Sequence, residues 1–213
     1  MSEPDAVPRL LLVADAFATG RAEMDAADVC RRACALVEAG VPFVMLRDHA
    51  ADAATFAAAA GVLARDLRAV NPDVRLVVNT HVAVALALGA GVHVGRRGPG
   101  VAEAVAAGVA SVGVSAHSAT QARTAAKAGA AYVTLSPVCA TATHSEALPL
   151  GLGPLALAAR TAGVPVLALG GLTPERARRA REAGAHGAAV LAALLFSWNA
   201  GKATREFLRA VDL

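Results

Sequence analysis

The stretch KAGAAYVTLSP, residues 127–137, ends an Ala-rich run at Gly129 and passes at once into an unbroken apolar segment. A glycine just past the last helical turn takes the left-handed conformation without a Cβ penalty. A continuous apolar run, rather than an alternating one, reads as a parallel strand buried on both faces. The same helix–Gly–strand phrase recurs in EAGVPFVMLRD (38–48), ALGAGVHVG (87–95), AAGVASVGVSA (106–116), TAGVPVLALGG (161–171) and EAGAHGAAVLA (182–192). Adding RLLLVAD (9–15) and VRLVVNT (74–80) gives strands expected near 9–14, 41–47, 73–79, 91–95, 111–116, 132–136, 164–170 and 187–192. Helices fit near 24–39, 53–69, 82–89, 101–108, 119–129, 154–162, 174–184 and 202–211. Ser118 with Gln121 reads as a capping box, and Thr173-Pro174 as an N-cap followed by proline at the first helical position.

Alternating units on this scale match an α/β fold, a single (β/α)8 TIM barrel spanning 1–213. An open doubly wound sheet is the alternative. It would carry a Gly-rich phosphate loop after the first strand, and VADAFATG (13–20) is not one.

Bulk composition narrows the function classes. With 213 residues and 56% hydrophobic content the chain can bury a full core, leaving only the first eight residues, MSEPDAVP, as an expected flexible start. Mean hydropathy is +0.51, yet charges, Gly or Pro interrupt every apolar run before the ~18 residues of a membrane span. No basic n-region precedes an apolar h-region, so the expected location is cytoplasmic. The net charge of +3 is scattered, and aromatics at 3% are too few for base-stacking platforms, which argues against nucleic acid as a partner. Cys30 and Cys34 share a helix face and read as small buried hydrophobes, with Cys139 far off in sequence.

In such barrels chemistry sits on the loops after strand C-termini. Those positions hold Arg47 and His49, Asn79 and Thr80, Ser115 and His117, the loop LSPVCATATHSEALPLGLG (135–153), Gly170-Gly171, and Ala192-Ala193. The two glycines and the turn after strand eight offer backbone N–H groups to a phosphate, or else tight packing at the rim. Strand alternation places Met45, Arg47 and His49 together, so Arg47 would enter the mouth as an anion fork or an internal ion-pair partner. His117 could move a proton near neutral pH, or be a satisfied structural histidine beside the cap. Thr141, Thr143 and His144 suit a ligand flap lined with neutral donors, although ordinary turn chemistry explains Thr and Ser as well. His93, in mid-strand, reads as packed and hydrogen-bonded. His186 falls on the opposite, stability face, and His81 should begin a helix behind an N-cap at Thr80.

The blocks VMLRDH, VVNTHVAVALALGAGVHVG, GVSAHSATQA, VTLSPVCATATH with PLGL, VPVLALGGLTPE and AGAHGAAVLAALL run in the order of the thiamine-phosphate synthase and thiazole tautomerase superfamily, which the chain resembles from about residue 9 to 210. The resemblance implies a TIM barrel acting on a phosphorylated thiazole in thiamine biosynthesis. It also exposes departures. The synthase typically reads Gln-x-Arg-x-Lys where Met45, Arg47 and His49 stand. It has Asn-Asp at Asn79-Thr80, an acid at Gly98, and Thr-x-Thr-Lys at Thr141–His144. The two acids hold Mg²⁺ against a pyrophosphate in the synthase.

Their absence favours the other branch as an expectation. That reading is a tautomerase-like isomerase with His117 as catalytic acid/base and no cofactor. Around it, Arg47, His49, Asn79, Ser115, Thr141, Thr143, His144, Gly170, Gly171, Ala192 and Ala193 would form the substrate site. The alternatives are the synthase itself with a degenerate Mg²⁺ site, or a phosphate-binding paralogue without chemistry. Expected partners are a small phosphorylated thiazole, neither nucleic acid nor membrane, with a homo-oligomer left open.

Overall fold

The computed structural model describes residues 6–22, 24–95, 98–141 and 146–212. Its strands are β1 (Leu10–Asp15), β2 (Phe43–Arg47), β3 (Arg75–Asn79), β4 (Gly91–Val94), β5 (Val112–Ala116), β6 (Tyr132–Leu135), β7 (Val166–Leu169) and β8 (Gly187–Val190). The helices are α1 (Ala26–Glu38), α2 (Ala53–Val70), α3 (Val82–Ala87), α4 (Val101–Ala106), α5 (Ala119–Lys127), α6 (Leu152–Thr161), α7 (Pro174–Glu182), α8 (Ala192–Leu195) and α9 (Ala200–Val211). All strand pairs are parallel, and β8 closes on β1 through Leu10–Ala188, Leu11–Ala189 and Leu12–Val190. The chain is therefore a closed (β/α)8 barrel, and the open sheet is excluded.

Every other strand residue faces the lumen, because side chains alternate across a strand. Leu11, Val13, Phe43, Met45, Val77, Tyr132, Leu167 and Ala189 fill it as one cluster. Their neighbours Leu10, Leu12, Val44, Leu46, Val78, Val133 and Leu135 join the layer under the helices. Carrying the parity to the C-terminal ends brings Asp15, Arg47, Asn79 and Ser115 to the inner side of the mouth. Helices thus supply the outer core, and the strand tips are left for chemistry.

Local signals mostly hold, with instructive shifts. Ser118 Oγ accepts from Gln121 N at 3.2 Å, but Gln121 Oε1 accepts from His117 N at 2.7 Å, one residue earlier than a capping box requires. Thr173 caps α7 ahead of Pro174 as expected. Thr80 does not cap α3: His81 is the N-cap, without a side-chain cap bond, and its ring lies 4.1 Å from that of Phe56. Residues 6–8 also differ from the flexible start expected. Ala6 and Val7 carbonyls accept from Arg75 Nη1 at 2.7 Å and His186 Nε2 at 2.6 Å. His186 thus works at the N-terminal face, as its position suggested. Cys30 and Cys34 are free and half-buried, packed against the core.

Candidate active site

The inner side of the mouth is organised first by charge. Arg47 Nε donates to Asp15 Oδ1 at 2.7 Å, and Arg21 Nη1 donates to Asp15 Oδ2 at 2.6 Å. Arg21 also lies over the Phe196 ring, 5.4 Å from its centroid. Arg47 therefore faces the mouth as alternation requires, and it has an internal acid as partner; that acid is Asp15. Asp48 points the other way and is buried. It accepts from the backbone N–H of Ala18, Thr19, Ala50 and Ala51 and from the Thr19 hydroxyl, tying together the loops after β1 and β2. Burial alone would raise its carboxyl, but the donors from Ala50, Ala18 and Thr19 outweigh that and hold it below the usual range.

Below the rim, β4, β5 and β6 contribute a buried polar cluster. His93 Nδ1 lies 3.2 Å from Tyr132 Oη, and its Nε2 lies 3.0 Å from Ser115 Oγ and 3.4 Å from Thr134 Oγ1. His93 is 2% exposed and Tyr132 fully buried. Burial, with a smaller push from Arg47, lowers the His93 pKa to about 3, so the ring is neutral. Burial also drives the Tyr132 phenol well above its ordinary value. Only glycine fits at position 113, since a Cβ there would lie 2.2 Å from Tyr132 Cζ and 2.6 Å from His93 Nδ1.

His117 follows the end of β5 and is solvent-exposed. Its Nδ1 lies 2.7 Å from the Ser136 carbonyl, which can only accept, so Nδ1 carries a proton and Nε2 is the nitrogen left for a ligand. His117 and the start of the loop after β6 thus share one end of the barrel. Thr141 is described and half-buried on that loop, and His49 is exposed after β2. Thr143 and His144 lie outside the described residues.

Gly170 and Gly171, at φ +101° and +62°, are required by close packing. A Cβ on Gly171 would lie 2.0 Å from the Ala140 carbonyl oxygen, and one on Gly170 2.9 Å from Pro137 Cα. Cys139 N donates to Gly170 O at 3.1 Å, and Arg176 Nη1 to Gly171 O at 2.7 Å. The double glycine therefore clamps the β6 loop against the end of β7. Beside it, Ala192 and Ala193 form the first turn of α8.

Asn79 ends β3 at the mouth, its Nδ2 donating to Thr80 Oγ1 at 3.1 Å. Thr80 has φ +69°, a region that a β-branched side chain rarely adopts. A Cβ on Gly98 would lie 3.1 Å from Thr80 Cγ2, so positions 80 and 98 adjoin. No cluster of three His, Cys, Asp or Glu suited to a metal occurs among the described residues. Likewise, no helix among them is long and apolar enough to cross a membrane. Sequence reading missed Asp15, Arg21, Tyr132 and Thr134. The available signal was parity: Asp15 ends β1 in register with Arg47. Two cavities, of about 360 and 440 Å³, lie away from these groups, one beside α1 and Trp198, the other around Arg75 and Ser111.

Comparison with known proteins adds an independent line. The family model described as thiamine monophosphate synthase matches residues 16–194. The thiamine-phosphate synthase of Salinispora tropica is 37% identical over 173 residues, covering 79% of this chain and 81% of that protein. That of Syntrophomonas wolfei is 35% identical over 164 residues, covering 75% and 77%. The thiamine phosphate pyrophosphorylase structure from Pyrococcus furiosus superposes with a TM-score of 0.81 at 25% identity, covering 96% of this chain and 95% of that one. A 3-hexulose-6-phosphate synthase, at 21% identity and TM-score 0.71, shares the fold. These matches overturn the tautomerase expectation: the relatives are named for a synthase, a transferase, and not for an isomerase.

Proposed function

The chain belongs to the thiamine monophosphate synthase family, and from that premise we propose that it is a transferase joining a pyrimidine pyrophosphate to a thiazole phosphate. One observation carries the reading. The family match, 16–194, runs from the residue after β1 into α8, and so spans the rim loops from the one after β1 onward. Two anionic substrates suit that rim. Arg47 and Arg21 bracket a single carboxylate, Asp15, leaving a net positive edge. Gly170, Gly171, Ala192 and Ala193 offer backbone to a phosphate, while Ser115, Asn79 and Thr141, with His49, Thr143 and His144, would complete the polar wall. As the thiazole nitrogen bonds the pyrimidine carbon and the C–O bond to pyrophosphate breaks, His117 Nε2 would give a proton to the departing pyrophosphate.

The Mg²⁺ of the family's synthases does not fit the residues present. Thr80 and Gly98 stand where the acids would be, and a hydroxyl beside a glycine offers no carboxylate. Asp15 is engaged by two arginines, and Asp48 by four backbone N–H groups and a hydroxyl. No step is therefore routed through a metal. Charge on a departing pyrophosphate would instead be met by Arg47 and the rim donors.

The test is to incubate the purified chain with both substrates, with and without Mg²⁺, and to identify products. Thiamine phosphate is expected. The misfit at Thr80 and Gly98 favours a second reading, a paralogue that binds thiazole phosphate without chemistry. A rise in melting temperature with thiazole phosphate but no product would replace the transferase reading with that one.

A further inference from the structure

The buried cluster below the rim can be resolved proton by proton. Tyr132 Oη has one hydrogen-bond partner among the described residues, His93 Nδ1 at 3.2 Å. A phenol O–H buried without an acceptor is costly, so it donates to Nδ1. A neutral imidazole then carries its proton on the other nitrogen. Nε2–H points at Ser115 Oγ, 3.0 Å away, with Thr134 Oγ1 a longer second acceptor at 3.4 Å. Ser115 thereby receives a hydrogen bond from below. Its own proton has no acceptor among the described residues, and Ser115 itself is half-buried at the end of β5. The reverse arrangement, with Nδ1–H donating to Tyr132, would strand the phenol proton in the core. The chosen one costs the buried Thr134 hydroxyl the Nε2 acceptor, but that contact is the longest of the three, 3.4 Å against 3.2 Å to Tyr132 and 3.0 Å to Ser115. Gly113 shows that the arrangement is built in, since any side chain there would occupy the space of the Tyr132–His93 contact.

We propose that Tyr132 and His93 are positioning residues that set the direction of the Ser115 hydroxyl, fixing it as a hydrogen-bond donor to an acceptor atom of the substrate at the barrel mouth. Selectivity follows. With one Ser115 lone pair taken by Nε2–H, a ligand that presents a lone pair over Ser115 meets the hydroxyl proton and is favoured over one presenting an N–H, which must compete for the single lone pair that remains. The tautomer stands independently of the reaction, while the substrate contact rests on the proposed function.

Two measurements test the two parts. A long-range ¹H–¹⁵N spectrum of the full chain, with His93 identified by the signal lost in His93→Gln, reads the tautomer at pH 7. Protonated Nε2 is expected; a proton on Nδ1, or a charged ring, overturns the relay whatever the protein catalyses. Thiazole phosphate binding is then measured for Ser115→Ala, Tyr132→Phe and the double variant, each checked by thermal melting. Tyr132→Phe retains the ring but frees the His93 tautomer, and it should weaken binding roughly threefold to tenfold. In the Ser115→Ala background it should do nothing further. Equal loss with and without Ser115 would mean a merely structural role. If the unaltered chain does not bind thiazole phosphate, the substrate contact fails together with the transferase reading, and the spectrum still decides the relay.

Discussion

Asp15 and Arg47 end neighbouring strands directly opposite each other, and Arg47 Nε donates to Asp15 Oδ1 at 2.7 Å. Arg21 binds the second carboxylate oxygen, so one acid orients two guanidinium groups at the inner edge of the mouth. Arg47 is thus held in place before any anion arrives, which lowers the ordering cost of binding one.

Arg47→Ala should weaken phosphate-ligand affinity by about tenfold or more, since a charge-assisted bond contributes about 1.5–3 kcal/mol. Asp15→Asn leaves Arg47 and Arg21 without their counter-charge and should lower stability by about 1–2 kcal/mol. Calorimetric titration and urea unfolding separate the two. Unchanged affinity in Arg47→Ala would remove the residue from the site.

Gly171→Ala puts a methyl 2.0 Å from the Ala140 carbonyl at φ +62°. The loop after β6 must move, and the expected loss is about 3 kcal/mol or more, with phosphate binding weakened as well. Gly61→Ala is the contrasting case. Gly61 lies inside α2 with open space around its Cβ position, and the substitution should raise stability by about 0.5–1 kcal/mol.

His117→Gln removes the ring Nε2 from the rim while leaving a polar side chain. If that nitrogen handles a proton, thiamine phosphate formation should slow by roughly 10²–10⁴ with little change in KM. A retained rate would return His117 to the role that its bond to Ser136 already gives it, holding the start of the β6 loop.

Thr80→Asp exchanges a β-branched residue at φ +69° for one that tolerates the left-handed region better, so a gain of about 0.5–1 kcal/mol is expected. Adding Gly98→Asp creates two adjoining carboxylates. Without divalent cation they repel, and the double variant should melt below Thr80→Asp. With Mg²⁺ it should recover, a shift that the unaltered chain lacks. Equal melting with and without Mg²⁺ would show that positions 80 and 98 cannot share an ion.

His93 supplies a pH dependence of definite sign. Its folded pKa of about 3 lies below the ordinary 6.5, so between those values the unfolded chain binds a proton that the native chain refuses. The contribution is complete above pH 6.5 and is lost as pH falls toward 3. Between pH 7 and 4.5 the loss should be about 2–3 kcal/mol, and the corresponding slope should vanish in His93→Gln. The lowered Asp48 carboxyl acts only in a more acidic range, so it does not obscure this window.

The barrel was readable from residues 127–137 and their echoes because both signals are local. A glycine past a helix end and an apolar run of strand length are dictated by neighbours in the chain. Alternation then assigned Arg47 to the lumen correctly. The same local logic misled at Thr80, where a threonine before a helix looks like a cap, yet the backbone turns through the left-handed region first. It also misled on the reaction: missing acids were read as a different activity, whereas the match over residues 16–194 puts the chain in the thiamine monophosphate synthase family, with relatives named as synthases.

By itself, then, the sequence determined the eight-unit ring and the strand tips that gather at its C-terminal end, since periodicity and turn residues act over a few positions. Only the tertiary structure decided the partners: Asp15 with Arg47, Tyr132 with His93 and Ser115, Gly171 against Ala140. Those pairs lie 22 to 39 residues apart in the chain, 39 for His93 and Tyr132, 32 for Asp15 and Arg47 and 22 for His93 and Ser115. Barrel closure brings them within hydrogen-bond or van der Waals reach, and no pattern along the chain carries the stagger between strands that sets which tips meet.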